Sequence, residues 1–156
     1  MDQKIYKIVQ NILFGIAAFL IVVTISCFLF HIKPCVVVSG SMEPKIMTGS
    51  LCMIKENSRA PQKGDIVAFQ RGKITVVHRI VKEVNGGYVT KGDNNDAEDP
   101  GVLKKENIKG FEMFSVPGIG YIVKWLQTAK GIIITITGII TFFLIGCLIP
   151  EEKKKK

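Results

Sequence analysis

Residues 74–84 read ITVVHRIVKEV, and Asn85-Gly86-Gly87 joins them to Tyr88-Val89-Thr90. Valine, isoleucine and threonine carry two heavy atoms on Cβ, which suits a pleated, half-buried surface better than a helix. Asn-Gly between two such runs is a hairpin signal. Working outward, Val36-Val37-Val38, Leu51-Cys52-Met53-Ile54 and Ile66-Val67-Ala68-Phe69 have the same short, apolar, strand-like length. Pro61, Lys63-Gly64-Asp65 and Arg71-Gly72-Lys73 separate them as turns. The runs follow one another too closely for helical crossovers, so they predict an antiparallel sheet or barrel. Residues 93–101 are polar and acidic and predict a loop. Pro117-Gly118-Ile119-Gly120 is a further break. From Tyr121 to Lys130 the spacing of Ile122, Trp125 and Leu126 predicts a short amphipathic helix.

Two apolar stretches flank this β region. Ile8–Phe30 runs for 23 residues and Gly131–Pro150 for 20 without a charged side chain. About 20 such residues in a helix cross a hydrocarbon core of about 30 Å. A domain this small has no interior able to hide the second run. The first run is too long for the apolar part of a cleavable signal, and no small-x-small site follows it at Phe30-His31-Ile32-Lys33-Pro34, so it reads as an uncleaved anchor. Lys4, Lys7 and Lys153–Lys156 lie beside these runs, and basic flanks mark the cytoplasmic side. The expected fold is a small, mostly β, antiparallel domain between N- and C-terminal transmembrane helices. Residues 1–33 form a cytoplasmic stub and anchor. Residues 34–120 form the β domain on the extracytoplasmic face. Residues 121–150 form the lead-in and second span, and 151–156 a basic cytoplasmic tail.

The net charge of +8 does not indicate nucleic acid. Six lysines and three acidic residues flank the apolar runs, and no aromatic-basic recognition motif appears between them. Of the four cysteines, Cys27 and Cys147 lie in the apolar runs, where a thiol behaves as a small hydrophobe. Cys35 and Cys52 lie in the β region. Their spacing gives no metal or disulfide framework, and unpaired thiols are the favoured reading.

Three features offer chemistry. Ser39-Gly40-Ser41-Met42-Glu43-Pro44 follows the valine run, and Gly40 permits a sharp turn that would present Ser41. Ser39 supplies a second hydroxyl two residues back, a potential oxyanion donor. His78 stands in the middle of its strand, and an ordinary histidine titrates near neutrality, so it can take a serine proton. The acidic run from Asp93 to Asp99 contains a carboxylate to orient that imidazole. Taken alone, each feature also fits an ordinary turn, a half-buried strand histidine and a solvated loop. As a calcium loop the acidic run fails, because the places that need glycine and glutamate hold Glu98 and Lys104.

Together these segments resemble the signal peptidase I family. Ser39-Gly40-Ser41-Met42-x-Pro44 resembles its nucleophile box. Gly64-Asp65-Ile66-Val67 resembles its next strand, and His78-Arg79-Ile80 its base box. Lys91-Gly92-Asp93-Asn94-Asn95 through Asp99 is similar to its acidic box, and residues 115–121 to the segment before its last helix. Histidine at the base position resembles the endoplasmic-reticulum type, shared with archaea and some spore-forming bacteria, rather than the lysine type.

The resemblance implies a membrane-bound serine endopeptidase that removes signal peptides from secretory preproteins after small residues. Ser41 would be nucleophile, His78 base and Asp99 the third member. Asp93 would support the loop, and Ser39 would complete the oxyanion site. No cofactor or metal is implied; the partners are preproteins and the bilayer, with accessory subunits left open. Val36–Ser39 and Thr75–Val77 are the expected substrate edges. The family pattern also leads to an aspartate after Gly49, where this chain has Ser50. Two rivals remain: a self-cleaving repressor-type protease, which uses lysine and is soluble, and a non-catalytic membrane scaffold with a β ectodomain.

Overall fold

The computed structural model describes residues 3–56 and 59–148. Asp2, Ile149, Pro150 and the Glu151–Lys156 tail, invoked above for the spans and their orientation, lie outside the described residues. Cys27–Lys124 forms one compact unit; Met1–Ser26 and Trp125–Lys156 form the other.

The first unit is built on strands β1 (Ile32–Val36), β2 (Leu51–Glu56), β3 (Ile66–Arg71), β4 (Ile74–Val84), β5 (Gly87–Lys91) and β6 (Ile108–Val116). They form one sheet in the order β1-β2-β6-β3-β4-β5, with every neighbouring pair antiparallel. The hairpin read from Asn85-Gly86-Gly87 is present, with Val84 opposite Gly87. Gly72-Lys73 makes a second tight connection, with Arg71 opposite Ile74 and Gly72 at φ +60°.

Two strands differ from expectation. The valine run ends β1 rather than forming it, so the strand begins at Ile32 and includes Pro34. Hydrogen bonds at His31–Glu56 and Val37–Ser50 bracket the β1–β2 register, so by alternation Pro34 takes a place whose nitrogen faces away from β2. A proline is tolerated there on an edge strand. Strand β6 was not anticipated, because Lys109, Gly110 and Glu112 interrupt its apolar pattern. It lies in the sheet between β2 and β3. Gly110 is required there: a Cβ would stand 2.3 Å from the Lys55 carbonyl oxygen.

Both faces of β3 are covered. Ile66 and Ala68 pack with Met42, Ile46, Cys52 and Ile54 on one side. Val67 and Phe69 pack with Ile80, Tyr88, Ile108 and Phe111 on the other. A strand buried on both faces reads as a continuous apolar run, which is why residues 66–69 lack alternation. Cys35 and Cys52 are cross-strand partners, and both thiols are free. Burial pushes the Cys35 thiol up. Burial first, then the charges of Glu112 and Cys35, pushes Cys52 up to about 12. Cys27 is also free; the side chain of Cys147 lies outside the described residues.

The turn before β2 forms without the aspartate of the family pattern. Gly49 takes φ +78° and donates to the Val37 carbonyl at 2.9 Å. The Tyr121 ring lies so close that a Cβ on Gly49 would meet it at 2.0 Å. The Ser50 side chain is fully buried, and its hydroxyl has no partner among the described residues. A buried, unsatisfied hydroxyl costs about 1–3 kcal/mol. Ser50→Ala is therefore expected to raise the unfolding free energy by about 1 kcal/mol, read as a higher urea midpoint with an unchanged m-value.

In the second unit, α1 (Gln3–Leu29) is long and apolar enough to cross a membrane, and its apolar side chains are exposed along most of its length. Thr24 and Ser26 return their hydroxyls to the carbonyls four residues back, which keeps them tolerable in an apolar helix. Helix α2 (Ile119–Leu126), most of which belongs to the first unit, begins two residues before the expected lead-in and stops four residues short of its end. Thr128 then caps α3 (Ala129–Leu148), its Oγ1 accepting from the Gly131 amide at 3.0 Å. Tyr6 and Phe142 stack between α1 and α3 with centroids 5.2 Å apart.

Candidate active site

Ser41 lies just beyond β1, in a loop tied at both ends. The Glu43 amide donates to Gly40 O at 3.1 Å, and the Ile46 amide to Met42 O at 2.9 Å. The Thr48 amide and hydroxyl donate to Glu43 Oε1 at 3.1 and 2.7 Å, and these two bonds hold the Glu43 carboxyl below its usual range. Apolar side chains of the same loop, Met42 and Ile46, fill the core beneath it. Burial of two large side chains one and five residues away fixes where position 41 can be.

His78 sits opposite Val67 in the β3–β4 ladder and is only 7% exposed. Its Nε2 lies 3.1 Å from Ser41 Oγ. Its Nδ1 lies 2.6 Å from Asp99 Oδ2. An ionised carboxylate can only accept, so Nδ1 carries the hydrogen and Nε2 is left as acceptor toward Ser41. Asp99 is brought to the ring by the chain itself: its amide donates to Thr90 O at 2.8 Å, folding the acidic loop back on β5. The buried Thr90 hydroxyl donates to the same Oδ2 at 2.7 Å. Arg71 approaches Oδ1 at 3.8 Å from the exposed side.

Ser39 Oγ is 3.3 Å from Ser41 Oγ. Asp93 does not reach the imidazole. It pairs with Arg79 through two bonds of 2.8 and 2.6 Å, and Arg79 also donates to Gly64 O. The bond to Asp93 raises Arg79 further above its already high value. This pair anchors the start of the acidic loop to β4. Asn94 fastens the loop to the serine turn: its amide donates to Ser41 O at 2.9 Å and its Nδ2 to Gly40 O at 3.2 Å.

All five residues singled out from the sequence thus lie in this unit. Ser39, Ser41, His78 and Asp99 are joined in one chain of contacts, and Asp93 stands behind it. Thr90 and Asn94 were missed. For Thr90 a signal existed: alternation in β5 buries it on the same face as Tyr88.

A groove of about 380 Å³ opens beside Ser41 and His78. Residues 35–39 form one wall and residues 74–77 the other. Strand β1 ends the sheet on one side. On β4, pairing with β5 begins only at Arg79, so residues 74–78 have an unpaired outer edge. Such edges can add an extended peptide.

The sequence profile described as "Signal peptidase, peptidase S26" matches residues 8–88, just over half of the chain. The chain belongs to the peptidase S26 family of signal peptidases. Signal peptidase I W of Bacillus subtilis is 38% identical over 129 residues, covering 69% of this chain and 68% of that protein. The signal peptidase complex catalytic subunit SEC11 of Leptosphaeria maculans is 36% identical over 102 residues, covering 56% of this chain and 59% of its own length. SEC11 of Zygosaccharomyces rouxii is 29% identical over 137 residues, covering 78% and 80%. This S26 peptidase therefore has relatives in both bacteria and fungi. Membership in a peptidase family sets aside the non-catalytic scaffold reading. The repressor-type reading calls for a lysine beside the serine, and the group 3.1 Å from Ser41 Oγ is an imidazole.

Proposed function

We propose that Ser41, His78 and Asp99 carry out signal-peptide removal in this peptidase as nucleophile, general base and orienting acid. The observation behind this reading is the continuous line Ser41 Oγ, His78 Nε2, His78 Nδ1, Asp99 Oδ2, with links of 3.1 and 2.6 Å. His78 takes the Ser41 proton as Oγ attacks the scissile carbonyl. The imidazolium is stabilised by Asp99 and returns the proton to the leaving amine. Water then repeats the sequence and releases the signal peptide from Ser41. The preprotein lies extended against residues 36–39 and 75–77 and is cut after a small residue.

The Ser41 backbone N–H and the Ser39 hydroxyl stabilise the oxyanion. One donor of this kind is worth about 10²-fold in kcat or more. Ser39→Ala is expected to lower kcat by about 10²-fold with little change in KM, measured on a secretory precursor peptide. A change confined to KM would remove Ser39 from this role.

Helices α1 and α3 cross the membrane, both ends of the chain are cytoplasmic, and the β unit acts on the extracytoplasmic face. The basic residues beside the apolar runs support this orientation. Protease added outside intact cells should degrade the β unit; full protection of it there would contradict the orientation.

A further inference from the structure

We propose that the side-chain amide of Asn95 binds the peptide on the leaving-group side of the bond that is cut. This deepens the catalytic reading above and rests on it. The two walls of the groove come from β1 with its continuation to Ser39 and from β4, and Met42 and Ile46 lie beneath. Asn95 is the one lining residue from the acidic loop. That loop meets the nucleophile directly. A Cβ placed on Gly92 would stand 2.5 Å from Ser41 O and 2.8 Å from Asn95 Nδ2, so both atoms crowd the same face of Gly92. Asn94 locks this arrangement with its two bonds to the carbonyls of Ser41 and Gly40.

Asn95 is half-buried; its backbone N–H donates to Gly92 O at 3.0 Å, but its side-chain amide has no hydrogen-bond partner among the described residues. A partly desolvated amide gains by finding one. It offers two donors and an acceptor, and a peptide unit offers one of each. The acyl half of the substrate occupies the two strand edges up to Ser41. Asn95 belongs to neither strand edge; it comes from the loop packed against the Ser41 carbonyl, which leaves it to meet the half that departs. Anchoring by Asn94 keeps Asn95 in place before substrate arrives, so little ordering cost falls on binding.

The test uses two substrates with one acyl sequence. The first continues for several residues past the cut; the second ends there in a small chromogenic amine. The quantity read is the ratio of kcat/KM for the extended over the short substrate, which does not depend on the fraction of protein that is folded. Asn95→Ala is expected to lower that ratio about tenfold, the worth of one good hydrogen bond. An unchanged ratio, whether both rates fall together or neither falls, overturns the proposal. Turnover of the short substrate by the wild type, and its loss in Ser41→Ala, tests the catalytic reading separately.

Discussion

Ser41→Ala is expected to lower kcat on a precursor peptide by on the order of 10⁶-fold, His78→Ala by a comparable factor, and the double variant by no more than either alone. The reason is that the two groups perform one step. Without the hydroxyl there is nothing for the imidazole to deprotonate. Without the imidazole, 3.1 Å away, the hydroxyl remains a weak nucleophile. Losses that simply multiplied in the double variant would mean that the two residues act independently. Ser41 is half-buried at the groove, so Ser41→Ala should keep a urea midpoint close to wild type. His78 is 7% exposed and holds Asp99, so His78→Ala should also lower the midpoint, and its kcat is compared at matched folded fraction.

Asp99→Asn is expected to lower kcat by about 10⁴-fold while leaving the fold intact. Asp99 Oδ2 already receives the Thr90 hydroxyl at 2.7 Å as well as His78 Nδ1–H at 2.6 Å. An amide placed there can turn its NH₂ toward the ring. It then favours the hydrogen on Nε2, the wrong tautomer for accepting a proton from Ser41. Asp93→Asn should behave differently. Its carboxylate faces Arg79, so the main consequence is a loosened loop rather than a wrong tautomer.

The parts of this protein that were legible in advance are those written locally. Branched residues and Asn-Gly specified the β4–β5 hairpin, and the long uncharged runs specified α1 and α3. Ser41 and His78 were readable because each is an unusual residue in a simple setting: a serine after a glycine at the end of a strand, and a histidine within an apolar one. Strand β6 was not readable, since its place between β2 and β3 depends on pairing with residues 39 to 65 positions earlier, and Gly110 and Glu112 hide its pattern. Asp99 was chosen only through the family resemblance. The acidic run holds four carboxylates, and nothing in its spacing reveals that the Thr90 carbonyl draws the last of them inward. The alternation of β5 marks Thr90 as buried but not what its hydroxyl bonds, and Asn94 escaped notice because its bonds go to another segment, where no local periodicity records them.

One measurement bears most directly on the assignment of Ser41 as the nucleophile. Purified wild type and Ser41→Ala, matched in concentration and folded state, are incubated with a secretory precursor, and the new N-terminus is read by mass spectrometry. The wild type should yield a single mature product beginning immediately after a small residue, and the variant none over the same period. A variant that releases the same product at the wild-type rate would show that the bond is cut by another group, and the catalytic assignment would fall.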